Sequence, residues 1–173
     1  MQRRKWIWYL LLGMNVMLLA LLGMQYVKNQ RIQEQIAGKV LRFHVLANSD
    51  TAEDQNLKLA VRDAVGSRMA ELLSDVPDRE ACEQVVEAHL PEIAETAQAV
   101  VREAGYEYEV HAAIEETEFP SKTYGKFTFP AGKYEALRVV IGEGEGHNWW
   151  CVMFPPLCFV DISSGVVPDE SKE

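Results

Sequence analysis

Acidic side chains are missing from the start of the chain: none of its 26 aspartates and glutamates precedes Tyr26. Arg3, Arg4 and Lys5 stand there instead, followed by an apolar run from Trp6 to Tyr26. About twenty apolar residues suffice to cross a bilayer as a helix, and positive charge on one flank holds that flank in the cytoplasm. The run predicts a membrane or signal segment, with the bulk of the chain outside the cytoplasm.

A cleavage site of the usual kind is also missing. A signal peptide would have a shorter apolar core and a small-x-small site, whereas the nearest candidate, Leu21-Leu22-Gly23, has a bulky residue where a small one is required. The sequence therefore favours a retained anchor over a cleaved signal peptide, and both interpretations stay open.

Acidic residues outnumber basic ones after Tyr26. That part of the chain has 14 of the 17 lysines and arginines and all 26 acidic residues, so it carries a net charge of −12. A nucleic-acid-binding protein needs clustered Lys and Arg, and the same negative field disfavours broad adsorption to anionic lipid. We therefore expect no nucleic-acid partner.

The chain has neither a Pro/Ser-rich linker nor an internal repeat, which favours one domain behind a tether. We predict a signal peptide or signal anchor over 1–26, a polar juxtamembrane linker over 27–38 and a single domain over 39–162. The acidic tail, 163–173, is expected to be disordered.

The hydrophobic pattern predicts the fold class. A β-rich run over 40–47 ends at a turn and N-cap cluster, Asn48-Ser49-Asp50. A helix should begin there, capped by Ser49, Asp50 or Thr51, and continue to about residue 74. A second helical pattern, from Ala81 to Val101, contains Pro91 and predicts either a kink or two helices, with Pro91 at the first position of the second. Gly105 ends this region.

From Tyr106 the apolar period changes to two, which is typical of strands. Together with the strand over 40–47, this gives an α+β fold, with two or three helices packed on one face of a mostly antiparallel sheet of about five strands. The later strands are predicted over 106–115, 123–129, 133–141 and 149–154.

Cysteines are few. Cys151 and Cys158 flank two prolines and are candidates for a disulfide outside the cytoplasm, although three cysteines also permit no bridge. Cys82, on the apolar side of a helix, is expected to be a buried thiol. His44, His111 and His147 lack the close paired spacing of zinc ligands, so we expect neither a metal nor another cofactor.

A thiol enzyme is the sharper chemical hypothesis, with Cys151 as nucleophile, His147 as base and Asp161 as orienting group. In a strand over 149–154, however, His147 cannot easily reach back to Cys151. The base would then have to be His44 or His111.

Two further features have simpler explanations. The polar side chains around the first strand-to-helix junction are explained by helix capping and by i,i+4 pairs such as Asp54 with Lys58. The members of this junction cluster are Arg42, His44, Asn48, Ser49, Asp50, Asp54, Lys58, Arg62 and Asp63.

Trp149 and Trp150 point to opposite faces of a strand, so one can be core while the other stands outward as an interface residue.

Two stretches, LRFHVLANSDTAEDQNLKLAVRDAV (41–65) and YGKFTFPAGKYEALRVVIGEGEGHNWWCVMFPPLCFVD (124–161), resemble the stage II sporulation protein R family of endospore-forming Firmicutes. The resemblance covers about 40–161, with 66–123 similar only in general character. It implies a signalling protein rather than an enzyme. Members are made in the forespore, enter the space between the forespore and mother-cell membranes, and activate the membrane-embedded aspartic protease that processes pro-sigma-E.

The resemblance brings no catalytic residues and no small-molecule substrate. On this resemblance, our hypothesis is that an outward-facing subset of the second stretch contacts the protease in the opposing membrane. The candidates are His147, Asn148, Trp149, Trp150, Phe154, Pro155 and Pro156.

Overall fold

The N-terminal segment is one helix. A computed structural model describes residues 2–125 and 127–157, and it divides into two compact units, Met1–Ile36 and Ala37–Glu173. The first unit consists of helix α1, Gln2–Ala37, whose last residue is counted with the second unit. Its stretch Lys5–Ala37 is long and apolar enough to cross a membrane, a property that signal sequences share. The predicted linker over 27–38 is therefore helical almost to its end.

The second unit begins with strand β1, Leu41–Leu46, and helix α2, Ala52–Leu72. The predicted cap is present: the Thr51 side chain accepts a hydrogen bond from the backbone N–H of Asp54. Glu53 and Asp54 lie in the first turn, where the helix dipole favours negative charge.

Two helices follow, as one of the two sequence interpretations predicted. Helix α3 spans Arg79–Ala88 and helix α4 spans Leu90–Glu103. Pro91 lies in the first turn of α4, where its missing N–H breaks no helical hydrogen bond. Gly105 ends the region with φ of +83°, a conformation that favours glycine.

The remaining elements are strands, so the predicted α+β class is confirmed. The larger sheet has four strands in the order β2-β5-β1-β6, and a separate hairpin pairs β3 with β4. Strands β5 and β1 are parallel, while β2–β5 and β1–β6 are antiparallel. The strands are β2 Val110–Phe119, β3 Lys122–Tyr124, β4 Phe127–Phe129, β5 Gly132–Ile141 and β6 Asn148–Phe154.

Two predicted strands differ from the observed ones. The strand predicted from Tyr106 begins only at Val110, because the neighbouring strand β5 ends at Ile141, the residue that pairs with Val110. The strand predicted over 123–129 is instead two short strands that fold back at Gly125, whose φ is +57°. A left-handed glycine is typical of a tight hairpin.

The four-stranded sheet is covered on both faces. On the first face, Leu41, Phe43 and Val45 of β1 join the main core with the apolar sides of α2, α3 and α4. On the second face, Arg42 and His44 of β1 are also buried. This is why all six residues of β1 are buried.

Candidate functional site

The loop between β5 and β6 packs against the junction between β1 and α2, although about 95 residues separate them in the chain. Gly146 N donates to Ala47 O at 3.0 Å, and Glu145 N donates to Asn48 O at 3.2 Å. The Asn48 side chain adds a third bond, since its Oδ1 accepts from Glu143 N at 3.1 Å. The two loops therefore form one surface.

Glycine is required at two positions of this loop. A Cβ on Gly146 would collide with the backbone carbonyl of Ser49, and one on Gly142 would collide with the Asn48 side chain. Gly142 also has φ of +58°, a conformation that other residues adopt only at a cost. The glycines therefore serve close loop packing, and not the phosphate binding for which glycine-rich loops are better known.

Two aspartates stabilise the joined loops, one within the β1–α2 junction and one across to the later loop. Asp54 Oδ2 accepts from Ser49 Oγ at 2.6 Å and from Asn48 Nδ2 at 2.9 Å. Asp50 Oδ1 lies 2.5 Å from both the backbone N and the Nδ1 of His147. Hydrogen bonding from His147 lowers the pKa of Asp50. Burial opposes ionisation of Asp54, yet the bonds from Ser49 and Asn48 outweigh it, so the pKa of Asp54 is also lowered.

Lys58 does not pair with Asp54 as the helical spacing predicted. Its Nζ donates to Gln55 Oε1 at 2.6 Å and to the backbone oxygen of His147 at 3.0 Å. Burial lowers the pKa of Lys58. The i,i+4 prediction was therefore wrong for this residue, because the later loop lies within its reach and offers a carbonyl that sequence spacing cannot reveal.

Trp149 and Trp150 lie on opposite faces of β6, as predicted, and both are partly buried. Trp149 packs edge-on against Phe43 at 5.5 Å, with the Arg62 guanidinium 5.2 Å from its ring centroid. Trp150 lies on the second face and stacks on His44 with ring centroids 3.9 Å apart. Both indoles therefore contribute to packing within the domain.

His44 is the buried partner of Trp150. Its Nε2 lies 2.9 Å from Asn148 Oδ1, and an amide oxygen only accepts, so Nε2 donates. Nδ1 is then the unprotonated nitrogen, and it is buried without a hydrogen-bond partner. Burial lowers the pKa of His44 to about 4. The imidazole is therefore neutral at physiological pH.

Arg42, beside His44 on the second face, is fully buried among four aromatic rings. Its guanidinium carbon lies 4.2 Å from the ring centre of Phe119 and 5.0 Å from that of Tyr134. Tyr124 and Phe129 of the hairpin complete the set at 5.8 and 5.4 Å. We call these four rings the aromatic cage.

Arg42 also connects separate elements of the fold. Its Nε donates to Cys151 O at 2.9 Å, and its Nη2 donates to Tyr124 Oη at 3.2 Å. Tyr124 Oη in turn donates to Trp150 O at 3.0 Å. Desolvation lowers the pKa of Arg42. Through these bonds one side chain joins the hairpin to β1 and β6.

The predicted partner-contacting residues lie at two ends of β6. His147 and Asn148 are exposed at one end, and Pro155 and Pro156 are exposed just beyond the other. Six steps of about 3.3 Å separate Asn148 from Phe154, so the ends lie roughly 20 Å apart. Phe154 packs against the main core. A single small contact cannot use both ends.

The thiol centre considered from sequence is not assembled in the described residues. Cys151 is only 3% exposed. The His147 imidazole is bound to Asp50, His44 lies on the opposite face of the sheet, and His111 is in β2, at the far edge. Asp161 lies outside the described residues.

The remaining cysteines are Cys82 and Cys158. Cys82 is a buried free thiol, and burial raises its pKa to about 12. Cys158, like the predicted tail over 163–173, lies outside the described residues, so its pairing with Cys151 stays a prediction. Within 2–125 and 127–157, no group of three or more His, Cys, Asp or Glu is placed to hold a metal ion.

Comparison with known proteins assigns the domain to a protein family. A family model described as stage II sporulation protein R matches residues 37–164. Stage II sporulation protein R of Bacillus subtilis (strain 168) is 38% identical over 138 residues, which are 80% of this chain and 62% of the relative. The chain thus spans less than two thirds of that relative's length. No solved structure gives a significant match.

Proposed function

Because this chain belongs to the stage II sporulation protein R family, we propose that it is an exported signalling protein that acts between the two membranes of a sporulating cell. In this proposal the protein leaves the forespore and activates the membrane-embedded aspartic protease that processes pro-sigma-E in the mother cell. The same proposal excludes an enzymatic role. Helix α1 would deliver the domain across the forespore membrane or hold it there.

One observation carries the proposal: the two stretches that resemble the family form a joined, solvent-facing surface and not a reactive centre. Residues 47–50 and 143–147 are connected by backbone and side-chain bonds. His147 and Asn148 are exposed at this surface. Preorganised, hydrogen-bonded loops bind a partner without paying much to become ordered. This arrangement suits a protein that acts by contact.

The rival, a thiol hydrolase of the cell envelope, would use Cys151 as its nucleophile. Attack needs an accessible thiolate with a base in reach. Cys151 is buried instead, so the geometry favours contact over catalysis.

The first test is whether the protein is required for processing. In a strain that lacks this protein, pro-sigma-E should remain unprocessed, and the wild-type gene should restore processing. Normal processing in the deletion strain would refute the proposed function.

The second test locates the contact. We expect His147→Ala combined with Asn148→Ala to reduce processing at least tenfold, as loss of a hot spot does, while the exported protein level stays unchanged. Their side chains are more exposed than those of the tryptophans. Because His147 also bonds to Asp50 and Asn148 to His44, the unchanged level of exported protein is the check that the variant still folds. His111→Ala, an exposed histidine on the far edge strand β2, is the matched control. If the double variant processes normally, this end of β6 is not the contact.

A further inference from the structure

Phe127 is an apolar side chain exposed at the tip of the β3–β4 hairpin. Among the described residues from 37 onward, the large hydrophobic side chains that are exposed are Phe127, at 57%, and Leu59, at 37%. A single exposed apolar residue is ordinary. What distinguishes Phe127 is the surface of which it is part.

The hairpin has one aromatic face. Directly paired residues share a face of an antiparallel pair, and Tyr124 pairs with Phe127 while Lys122 pairs with Phe129. Tyr124 and Phe129 belong to the aromatic cage around Arg42. Phe127 therefore lies on the same face as the buried rings but extends beyond the part that the sheet covers. The aromatic surface that begins at the cage therefore continues to solvent at this point.

The hairpin also differs in charge from the rest of the domain. From Phe119 to Tyr134 the sequence has three lysines and no aspartate or glutamate, whereas the chain after Tyr26 carries −12. Lys133 is paired with Glu116. Lys122 lies on the same face as Phe127. The exposed phenylalanine is thus bordered by positive charge within an otherwise acidic domain.

The two short strands of the hairpin are held in place by the domain. Tyr124 is bonded to Arg42 and to the backbone of Trp150, and Thr123 and Thr128 share a 2.9 Å hydrogen bond on the opposite face. A side chain carried on a strand that is already fixed loses less conformational entropy on binding than one on a mobile segment. These are properties of a docking residue.

From these observations we infer that Phe127 and Lys122 form a docking site for a protein, an apolar pocket edged by carboxylates. The inference rests on the proposed function, and it places that pocket on the extracytoplasmic side of the membrane-embedded protease. Lys122 is complementary in charge to such a pocket, and repulsion of the acidic remainder of the domain by the same carboxylates would orient the domain with the hairpin facing it. Sequence reasoning did not single out Phe127, because a strand pattern over 123–129 gave no reason to expose it.

The test uses the full chain in sporulating cells that lack the wild-type copy, with pro-sigma-E processing as the readout. We expect Phe127→Ser to slow processing at least tenfold and Lys122→Glu to slow it about threefold or more, at unchanged levels of exported protein. Phe127→Leu keeps an apolar group and should restore most of the rate. Leu59→Ser and Arg102→Glu are the matched controls on α2 and α4, and both should process normally.

A photo-crosslinking residue at position 127 identifies the occupant. An adduct with the protease supports the inference, whereas adducts formed only with lipid or with a second copy of this chain would overturn it. Normal processing by Phe127→Ser would also overturn it, as would equal losses in the control variants.

Failure of the docking site is distinguishable from failure of the proposed function. If deleting the gene stops processing while Phe127→Ser does not, the function stands and the docking site is wrong. If deletion leaves processing intact, both fail.

Discussion

The buried His44 should make the domain less stable in mild acid, and replacing it should remove this sensitivity. Its pKa is lowered from 6.5 to about 4 by burial. The unfolded chain therefore binds one more proton than the folded one between these values, and stability falls as the pH falls through this window. At 1.36 kcal/mol per pKa unit, the loss is about 3 kcal/mol. The stability is fully present above pH 6.5.

His44→Gln keeps a donor for Asn148 but loses the stack on Trp150, so we expect it to cost about 1–2 kcal/mol at pH 7. Because glutamine does not titrate, the variant should keep its stability down to pH 4. The two stability curves should then cross, with the variant the more stable protein at the acid end. Protonation of Asp50 and Asp54 does not obscure the crossing of the two curves. The pKa values of both carboxyls are lowered in the folded domain, so the stability that they contribute is lost only as the pH falls below the ordinary value of 3.8.

The assay is urea unfolding, at steps of pH from 4 to 7, of the compact unit from Ala37 onward, which contains the whole main core. His111→Gln removes an imidazole whose side chain is 74% exposed, and it is the matched control. Its curve should follow the wild type within about 0.5 kcal/mol. If His44→Gln and the wild type run parallel across the window, the argument from burial is refuted.

Two further pairs of substitutions probe the joined elements, with thermal or urea unfolding as the measurement. Arg42→Lys should destabilise the domain by about 2–4 kcal/mol, because it keeps the buried charge but loses the fork that reaches both Cys151 and Tyr124. Arg42→Met should cost less, and the reverse order would contradict this. Gly146→Ala should cost at least about 2 kcal/mol, since its Cβ would meet the Ser49 carbonyl. Gly105→Ala, with open space around it and φ of +83°, should cost about 1 kcal/mol; equal losses would refute the steric argument.

Local rules predicted most of the secondary structure. Helical spacing, capping residues and Pro91 fixed the positions of α2 and α4, because these signals act over a few residues along the chain. The rules failed where two segments distant in sequence meet. The strand predicted over 123–129 turns back at Gly125, since its aromatic residues serve the cage around Arg42 and not a strand of the main sheet.

The candidate site shows the same limit. Alternation along β6 correctly placed Trp149 and Trp150 on opposite faces, but it could not show that the second face is itself covered. Periodicity reports which side chains share a face, whereas burial depends on what another segment brings to that face. The covering residues here come from β2 and from the hairpin, and Phe119 lies 4.6 Å from Trp150. Trp150, which the pattern of β6 alone would leave facing solvent, is therefore partly buried by these residues.

The helical state of residues 27–37 changes how far a retained anchor would let the domain reach. Fully extended, a linker over 27–38 would cover about 40 Å. As part of α1, eleven residues rise only about 1.5 Å each, or roughly 16 Å in all. If the proposed partner lies in the opposing membrane, a short helical tether would hold the domain close to its own membrane and oppose contact across the gap. Under the proposed function, cleavage of the anchor would let the domain reach farther from the forespore membrane. A retained anchor would raise the local concentration of the domain near its partner only where the two membranes lie close together.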